Sequence, residues 1–350
     1  MKAKSYAAKS AITPLEYYEF ERREPNETDV ELEVYYCGVC HSDIHTTRGD
    51  WGEVKYPCVP GHEIVGVVNQ VGSNVTKFKP GDKVGVGCMV NSCKKCGACK
   101  KGYENSCFKE TTWTYSSKDP IDGTDTKGGY STIMVAPEHF VLPIPKSLDM
   151  AHVAPLLCAG ITTYSPLMNW KVGPGKKVGI IGLGGLGHMG VKYAKAMGAE
   201  VWVITSSPNK AKIAKSYGAN GVIISSDKND MNSSAHMFDF LLDTIPKAHD
   251  LSAYMQLLNV HGTICLVGPI EQMPSYHSGN VINGQKSIAG SGIGGIKETL
   301  EMLKYSAKHN ILPEIEIIDI KDINKAWDSL TKKQMSKRFV IDVKNSFYLP

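Results

Sequence analysis

The chain has 350 residues, room for about two domains at roughly 100–200 residues each, and its 42 % hydrophobic and 21 % charged residues are the ordinary balance of a globular protein. A net charge of +4 is too small to argue for a nucleic-acid partner. No run approaches the roughly 20 apolar residues of a membrane span, and the start MKAKSYAAKSAITPLEYYEF has no apolar signal core. Ten cysteines, set beside histidines and glycine-rich motifs in a long chain, point to metal ligation in a reducing, cytoplasmic setting rather than to secreted disulfides.

Residues 30–36, VELEVYY, alternate apolar and polar side chains, the period of a half-buried strand. EIVGVV (63–68), KVGVG (83–87) after the turn KPGD, and YSTIMVA (130–136) after Gly128-Gly129 are further strands punctuated by Gly and Pro. The first 150 residues are therefore expected to be mostly antiparallel β, as a small barrel. Within them the segment 91–107, NSCKKCGACKKGYENSC, sets Cys93, Cys96, Cys99 and Cys107 at C-x2-C-x2-C-x7-C. Four thiolates this close together form a closed tetrahedral cage for a structural Zn2+. A ferredoxin-type cluster competes, but its pattern continues with x3 and Cys-Pro rather than x7. Lys94, Lys95, Lys100 and Lys101 mark the lobe as exposed, which counts against four unconnected core cysteines.

Composition changes near Asp149, and from Lys177 strands and helices alternate: KVGIIG, GGLGHMGVKYAKAMG, EVWVITS, NKAKIAKSYG, GVIIS, FDFLLDT, LSAYMQLL and GTICLVG. That rhythm implies βαβ units in a parallel, doubly wound sheet. A helix over roughly 295–309 and an alternating strand, Arg338 to Val343, close the chain; the strand is expected to return to the first domain. Gly182, Gly184, Gly185, Leu186 and Gly187 form G-x-G-x-x-G directly after the strand Val178–Ile181 and before a helix, a dinucleotide signature in its proper context. The glycines allow backbone to approach a pyrophosphate, and the helix N-terminus offers oriented N–H groups. An NAD enzyme carries a carboxylate about 20 residues further on. Here Thr205, Ser206, Ser207 and Lys210 stand instead, hydroxyls and a cation suited to a 2′-phosphate, so NADP(H) is expected over NAD(H).

A catalytic zinc needs three protein ligands and an open position. Cys40, His62 and Cys158 are candidates, but spacing alone leaves the choice open. Cys37-x-x-Cys40 also fits a redox pair, and His62 or His45 would ordinarily be hydrogen-bonded loop histidines.

The motifs CHSDIH (40–45), GHEIVG (61–66), the four-cysteine lobe, CAGITTY (158–164), GLGGLG and GSGIGG (290–295) occur in an order that resembles the zinc-dependent medium-chain alcohol dehydrogenases. The match is nearest to cinnamyl alcohol dehydrogenases and broad-range NADP-dependent aldehyde reductases. The resemblance implies an α/β protein with a GroES-like β-barrel catalytic domain at 1–155 and 296–350 and a Rossmann NADP-binding domain at 156–295, usually a homodimer. It implies two zincs per chain, one held by Cys40, His62 and Cys158, with Glu63 near that metal and Asp43 orienting His62. Ser42 and His45 match a proton relay. Thr162, Thr244, Gly268, Ser291, Gly292 and Ile293 match contacts to the nicotinamide half, and Trp51 and Trp113 match walls of the substrate pocket. Gly292 departs from the bulky aromatic of plant members, which puts strict cinnamyl selectivity in doubt. The implied activity is reversible hydride transfer between a primary alcohol and an aldehyde, the partner being that small molecule rather than nucleic acid or membrane. A zinc-free quinone reductase and a non-catalytic zinc-lobe module are the rivals; the complete ligand set argues against the first and the relay pair against the second.

Overall fold

A computed structural model of the protein describes residues 1–268, 271–332 and 337–348. The chain forms two compact units, Met1–Cys158 with Gly294–Pro350, and Ala159–Ile293.

In the first unit, the strand Asp29–Gly38 is the organising element. It pairs antiparallel with Ile64–Val71, Ile133–Pro137 and the late strand Arg338–Asp342, inside a seven-stranded sheet. Leu32, Val34, Ile64, Met134 and Ile341 are buried in its core, which explains why the alternating sequence of 30–36 is a strand with one face inward. Cys37 pairs with Ile64. Cys40, three residues past that rung, and His62, two before its partner, therefore leave the sheet at the same end. Arg338–Asp342 joins this sheet through Val340 opposite Gly38 and Ile341 opposite Cys37, so residues more than 300 positions apart in sequence share one edge of the site.

The second unit is a six-stranded sheet, all neighbours parallel, in the order Gly221–Ile224, Glu200–Thr205, Lys177–Ile181, Phe238–Asp243, Leu258–Leu266, Ser287–Gly290. Near-continuous burial of Phe238–Asp243 and Lys177–Ile181 is what a parallel sheet covered on both faces requires. The strand order reverses between Lys177–Ile181 and Phe238–Asp243, and that switch point opens a crevice at the strands' C-terminal ends.

Several local expectations differ. LSAYMQLL is helical only over Ser252–Met255; Leu257 and Leu258, fully buried, carry the chain directly into the next strand. The polar stretch after GVIIS contains a short helix, Lys228–Ser233, which hydrophobic periodicity could not reveal; Asp227 caps it by accepting the N–H groups of Asn229 and Asp230. The strands Ser287–Gly290 and Ile315–Ile318 were also not expected; each is four residues long and depends on one neighbouring strand. No helix among the described residues is long and apolar enough to cross a membrane.

Candidate metal centres and dinucleotide site

One carboxylate organises the buried end of the first unit. Asp43 is fully buried in the helix His41–Arg48, where its Oδ2 accepts the Cys40 N–H at 3.0 Å and caps the helix. The same Oδ2 accepts the Tyr130 hydroxyl at 3.1 Å, while Oδ1 takes the Gly61 N–H at 3.1 Å and faces Nδ1 of His62 at 3.0 Å. A carboxylate on Nδ1 fixes the tautomer with the proton there and leaves Nε2 as a ligand lone pair. Cys40, His62, Glu63 and Cys158 are all buried, and their ligand atoms lie within 4.8 Å of one another. Cys158 arrives on a π-helical turn, Leu156–Gly160, between two short helices. Such single turns widen the helix locally and re-aim a side chain.

The donor set fits zinc. A tetrahedral ion with Zn–S bonds of about 2.3 Å holds its sulfurs roughly 3.8 Å apart. Cys40 and Cys158 place theirs 4.0 Å apart. The Cys158 contact pulls the Cys40 thiol well below the usual range, and Cys158 is pushed well above it. A dication between the two sulfurs would favour both as thiolates. Glu63 brings a carboxylate to the same cluster, but its Oε1 is engaged by the Arg338 guanidinium, and its buried Oε2 has no hydrogen-bond partner among the described residues. Burial pushes the Glu63 carboxyl up to about 7 against the pull of Arg338. Gly38 makes room for it, since a Cβ there would lie 1.9 Å from Glu63 Oε2.

The cysteine lobe fits the same test. Sulfur separations are 3.9 Å for Cys93 to Cys99, 3.5 Å for Cys96 to Cys99 and 4.0 Å for Cys96 to Cys107. Backbone N–H groups donated from Cys99 and Phe108 draw the Cys96 thiol down to about 6, the direction a thiolate ligand needs. Glu104, buried within the lobe, accepts from Ile296 N at 3.1 Å and sits 2.8 Å from His139 Nε2, tying the lobe to the start of the helix Ile296–His309.

Ser42 Oγ stands 3.5 Å from Cys40 Sγ, and His45 lies one turn along the same helix. Asp50, which sequence reasoning missed, places Oδ2 2.7 Å from His45 Nδ1. Trp51, expected as a pocket wall, is half-exposed and stacks on the His45 ring at 5.3 Å; Trp113 is also exposed. Arg338 was likewise missed: a lone arginine opening an apolar strand was its only signal. Cys37 is a buried core thiol whose pKa is pushed well up by burial, as expected for a packing residue.

In the second unit Gly182 adopts φ +86, and a Cβ on Gly187 would lie 2.1 Å from Gly182 O, so both positions require glycine. The helix Gly187–Ala196 begins there. Thr244 Oγ1 donates to Ile181 O at 2.8 Å, and Lys210 Nζ reaches Leu183 O at 2.9 Å, so both side chains converge on the glycine turn. Thr205 and Thr162 are buried, Ser206 is exposed, and Ser291 N–H donates to Leu266 O at 3.1 Å. Ile293 takes a left-handed φ of +48, and a Cβ on Gly268 would meet Ile245 O at 2.3 Å.

Comparison with known proteins agrees with this chemistry. Residues 26–146 match the alcohol dehydrogenase GroES-like domain and residues 185–308 the zinc-binding dehydrogenase family. The chain is 49 % identical to 8-hydroxygeraniol dehydrogenase of Catharanthus roseus, over 99 % of this chain and 96 % of that protein. It is equally, 49 %, identical to the aldehyde reductase YahK of Escherichia coli, over 98 % of each. Among solved structures it superposes on the Helicobacter pylori CAD complexed with NADP(H), with a TM-score of 0.93 and 44 % identity over 99 % of both chains. With a paired-sulfur metal cluster in one unit and a glycine-turn dinucleotide fold in the other, the chain belongs to the zinc-dependent medium-chain alcohol dehydrogenases, enzymes that interconvert alcohols and aldehydes, in their cinnamyl alcohol dehydrogenase and aldehyde reductase branch.

Proposed function

We propose that the protein is an NADP(H)-dependent aldehyde reductase and alcohol dehydrogenase of broad range, acting on primary aliphatic, benzylic or cinnamyl-type substrates. The observation that carries this is the buried Cys40, His62 and Cys158 cluster with Asp43 behind His62. Zinc held there supplies Lewis acidity to a substrate oxygen, and NADP(H) held at the Gly182 turn supplies or accepts the hydride. The chain's own residues orient and move the proton. Asp43 locks the His62 ring, Ser42 takes the alcohol proton in oxidation, and His45, steadied by Asp50 and Trp51, passes it to solvent. In reduction the same groups return it.

Thr205, Ser206, Ser207 and Lys210 offer hydroxyls and a cation where a carboxylate would select NAD(H). Thr162, Thr244, Gly268 and Ser291 to Ile293 line the nicotinamide half in this scheme, and the units Met1–Cys158 with Gly294–Pro350 and Ala159–Ile293 are its catalytic and nucleotide domains. A Cβ on Gly292 would meet no atom within 4 Å, which favours a roomy substrate site with Trp51 and Trp113 as walls. A homodimer in a reducing cytoplasm completes the scheme.

Initial rates over a panel of aliphatic, benzylic and cinnamyl aldehydes, with NADPH and with NADH, test the proposal alongside a zinc count. Two zincs per chain and faster reduction with NADPH across several aldehyde classes are expected. A quinone-only reductase without zinc would refute it.

A further inference from the structure

The segment that leaves the strand Phe238–Asp243 is closed on itself by one carboxylate. Asp243 is fully buried; its Oδ1 accepts the Ile245 N–H at 3.0 Å, and its Oδ2 lies 3.0 Å from Nε2 of His249. On the other side of the ring, Nδ1 faces the Lys247 carbonyl oxygen at 2.8 Å. Both ring nitrogens thus confront acceptors. A neutral imidazole has a single N–H, and if the carbonyl takes it, the remaining lone pair points at a buried carboxylate. The imidazolium donates to the carbonyl through Nδ1 and sets its positive charge beside the carboxylate.

Neither His249 Nε2 nor Asp243 Oδ2 makes a directed hydrogen bond among the described residues, so their attraction is that of opposite charges and disappears with the proton. Burial works against that charge, but the Asp243 carboxylate, the Lys247 carbonyl and Asp250 outweigh it and hold His249 above its ordinary 6.5. Among the described residues, Tyr254 and Glu271 also face this segment. The ring of Tyr254 meets the imidazole edge-on at 5.5 Å, and the Glu271 carboxylate accepts the Ala248 N–H.

The near end of the segment reaches the dinucleotide turn. Thr244 Oγ1 bonds to Ile181 O at 2.8 Å and to Gly182 O at 3.3 Å, and Ile245 packs so closely on residue 268 that only glycine fits there. Where His249 is clipped therefore decides where Thr244 and Ile245 stand against the glycine turn.

We propose that His249 is a positioning residue for the dinucleotide: as an imidazolium it clips the segment 244–249 to Asp243 and holds Thr244 against the Gly182 turn, and loss of its proton loosens the segment and weakens cofactor binding. The role rests on the NADP(H) assignment made above. Because the folded pKa lies above the ordinary value, the clip is complete below about pH 6.5 and is lost as the pH rises through the higher folded value.

The test is the fluorescence-titrated Kd for NADPH of the zinc-loaded protein between pH 6 and pH 9, for wild type, His249→Gln and His249→Lys. Wild-type Kd should rise about three- to tenfold over that range beyond any rise in His249→Gln, as expected when the binding-competent population falls by that factor. His249→Gln should already bind weakly at pH 6. His249→Lys, which keeps a cation beside Asp243, should regain affinity and hold it into the alkaline range. In turnover the loss should appear in KM for NADPH before kcat. A flat wild-type Kd would overturn the proposal without any variant. So would wild-type affinity in His249→Gln, or equal weakness of both variants at every pH, the mark of a merely structural residue. A wild type that binds no NADPH at all would overturn the cofactor assignment itself, and this role with it.

Discussion

The carboxylate of Asp50 stands 2.7 Å from Nδ1 of His45, beyond the end of the helix that carries His45 and Ser42. In the relay proposed above, Asp50 would be a third side chain, acting as a unit with His45. Ser42→Ala should lower kcat for alcohol oxidation by roughly 10²-fold, the low end for loss of a positioned acid–base group. His45→Gln and Asp50→Asn should each cost less, because solvent replaces an outer group in part. The double variant should cost little more than either single change, since groups acting as a unit are non-additive. Multiplying losses in the double variant would separate Asp50 from the relay.

Arg338 and Glu63 form a buried ion pair, 6 % and 0 % exposed at their side chains. Arg338→Met removes one partner and leaves a carboxylate in a buried cluster, which costs about 3–5 kcal/mol for such pairs. Urea unfolding of the zinc-loaded variant should show that loss. Adding Glu63→Gln should recover a substantial part of it, because the stranded charge is then gone. A double variant no more stable than Arg338→Met would mean that lost packing rather than a stranded charge explains the cost.

The two metal clusters should fail differently. Cys99→Ser opens a closed cage in an exposed lobe that Glu104 ties to residue 296, so stability and zinc content should fall first, to about one zinc per chain. Cys158→Ser should leave a folded protein with little activity. Full zinc and full activity in both variants, measured by atomic absorption and initial rates, would remove the assignment.

Cofactor preference rests on Lys210 and the hydroxyls before it. A charge-assisted contact to a 2′-phosphate is worth about 1.5–3 kcal/mol, or roughly one to two decades in affinity. Lys210→Ala should therefore raise KM for NADPH far more than KM for NADH. Ser206→Asp should go further by adding repulsion to the phosphate and a partner for a free 2′-OH. The comparison is kcat/KM for both cofactors at one ionic strength, since salt screens a half-buried lysine in part. A wild type that favours NADH would sink the assignment and leave the zinc chemistry untouched.

What the sequence determined by itself was chemistry carried by local spacing. Cys93 to Cys107 fall within one short loop, and Gly182 to Gly187 within one strand-to-helix turn, so the cage and the dinucleotide turn were legible without knowing where any other residue lies. Cys40, His62 and Cys158 became a set only through resemblance, because spacings of 22 and 96 residues carry no geometry. The tertiary structure brought them together by pairing Cys37 with Ile64 and re-aiming Cys158 on a π-turn. It alone supplied Arg338 for Glu63 and Asp50 for His45. A side chain's hydrogen-bond partner is set by where strand register and loop closure deliver a second group, and neither leaves a periodic trace in the sequence. The same reason hid the strands Ser287–Gly290 and Ile315–Ile318, whose pairing depends on an edge made elsewhere in the chain.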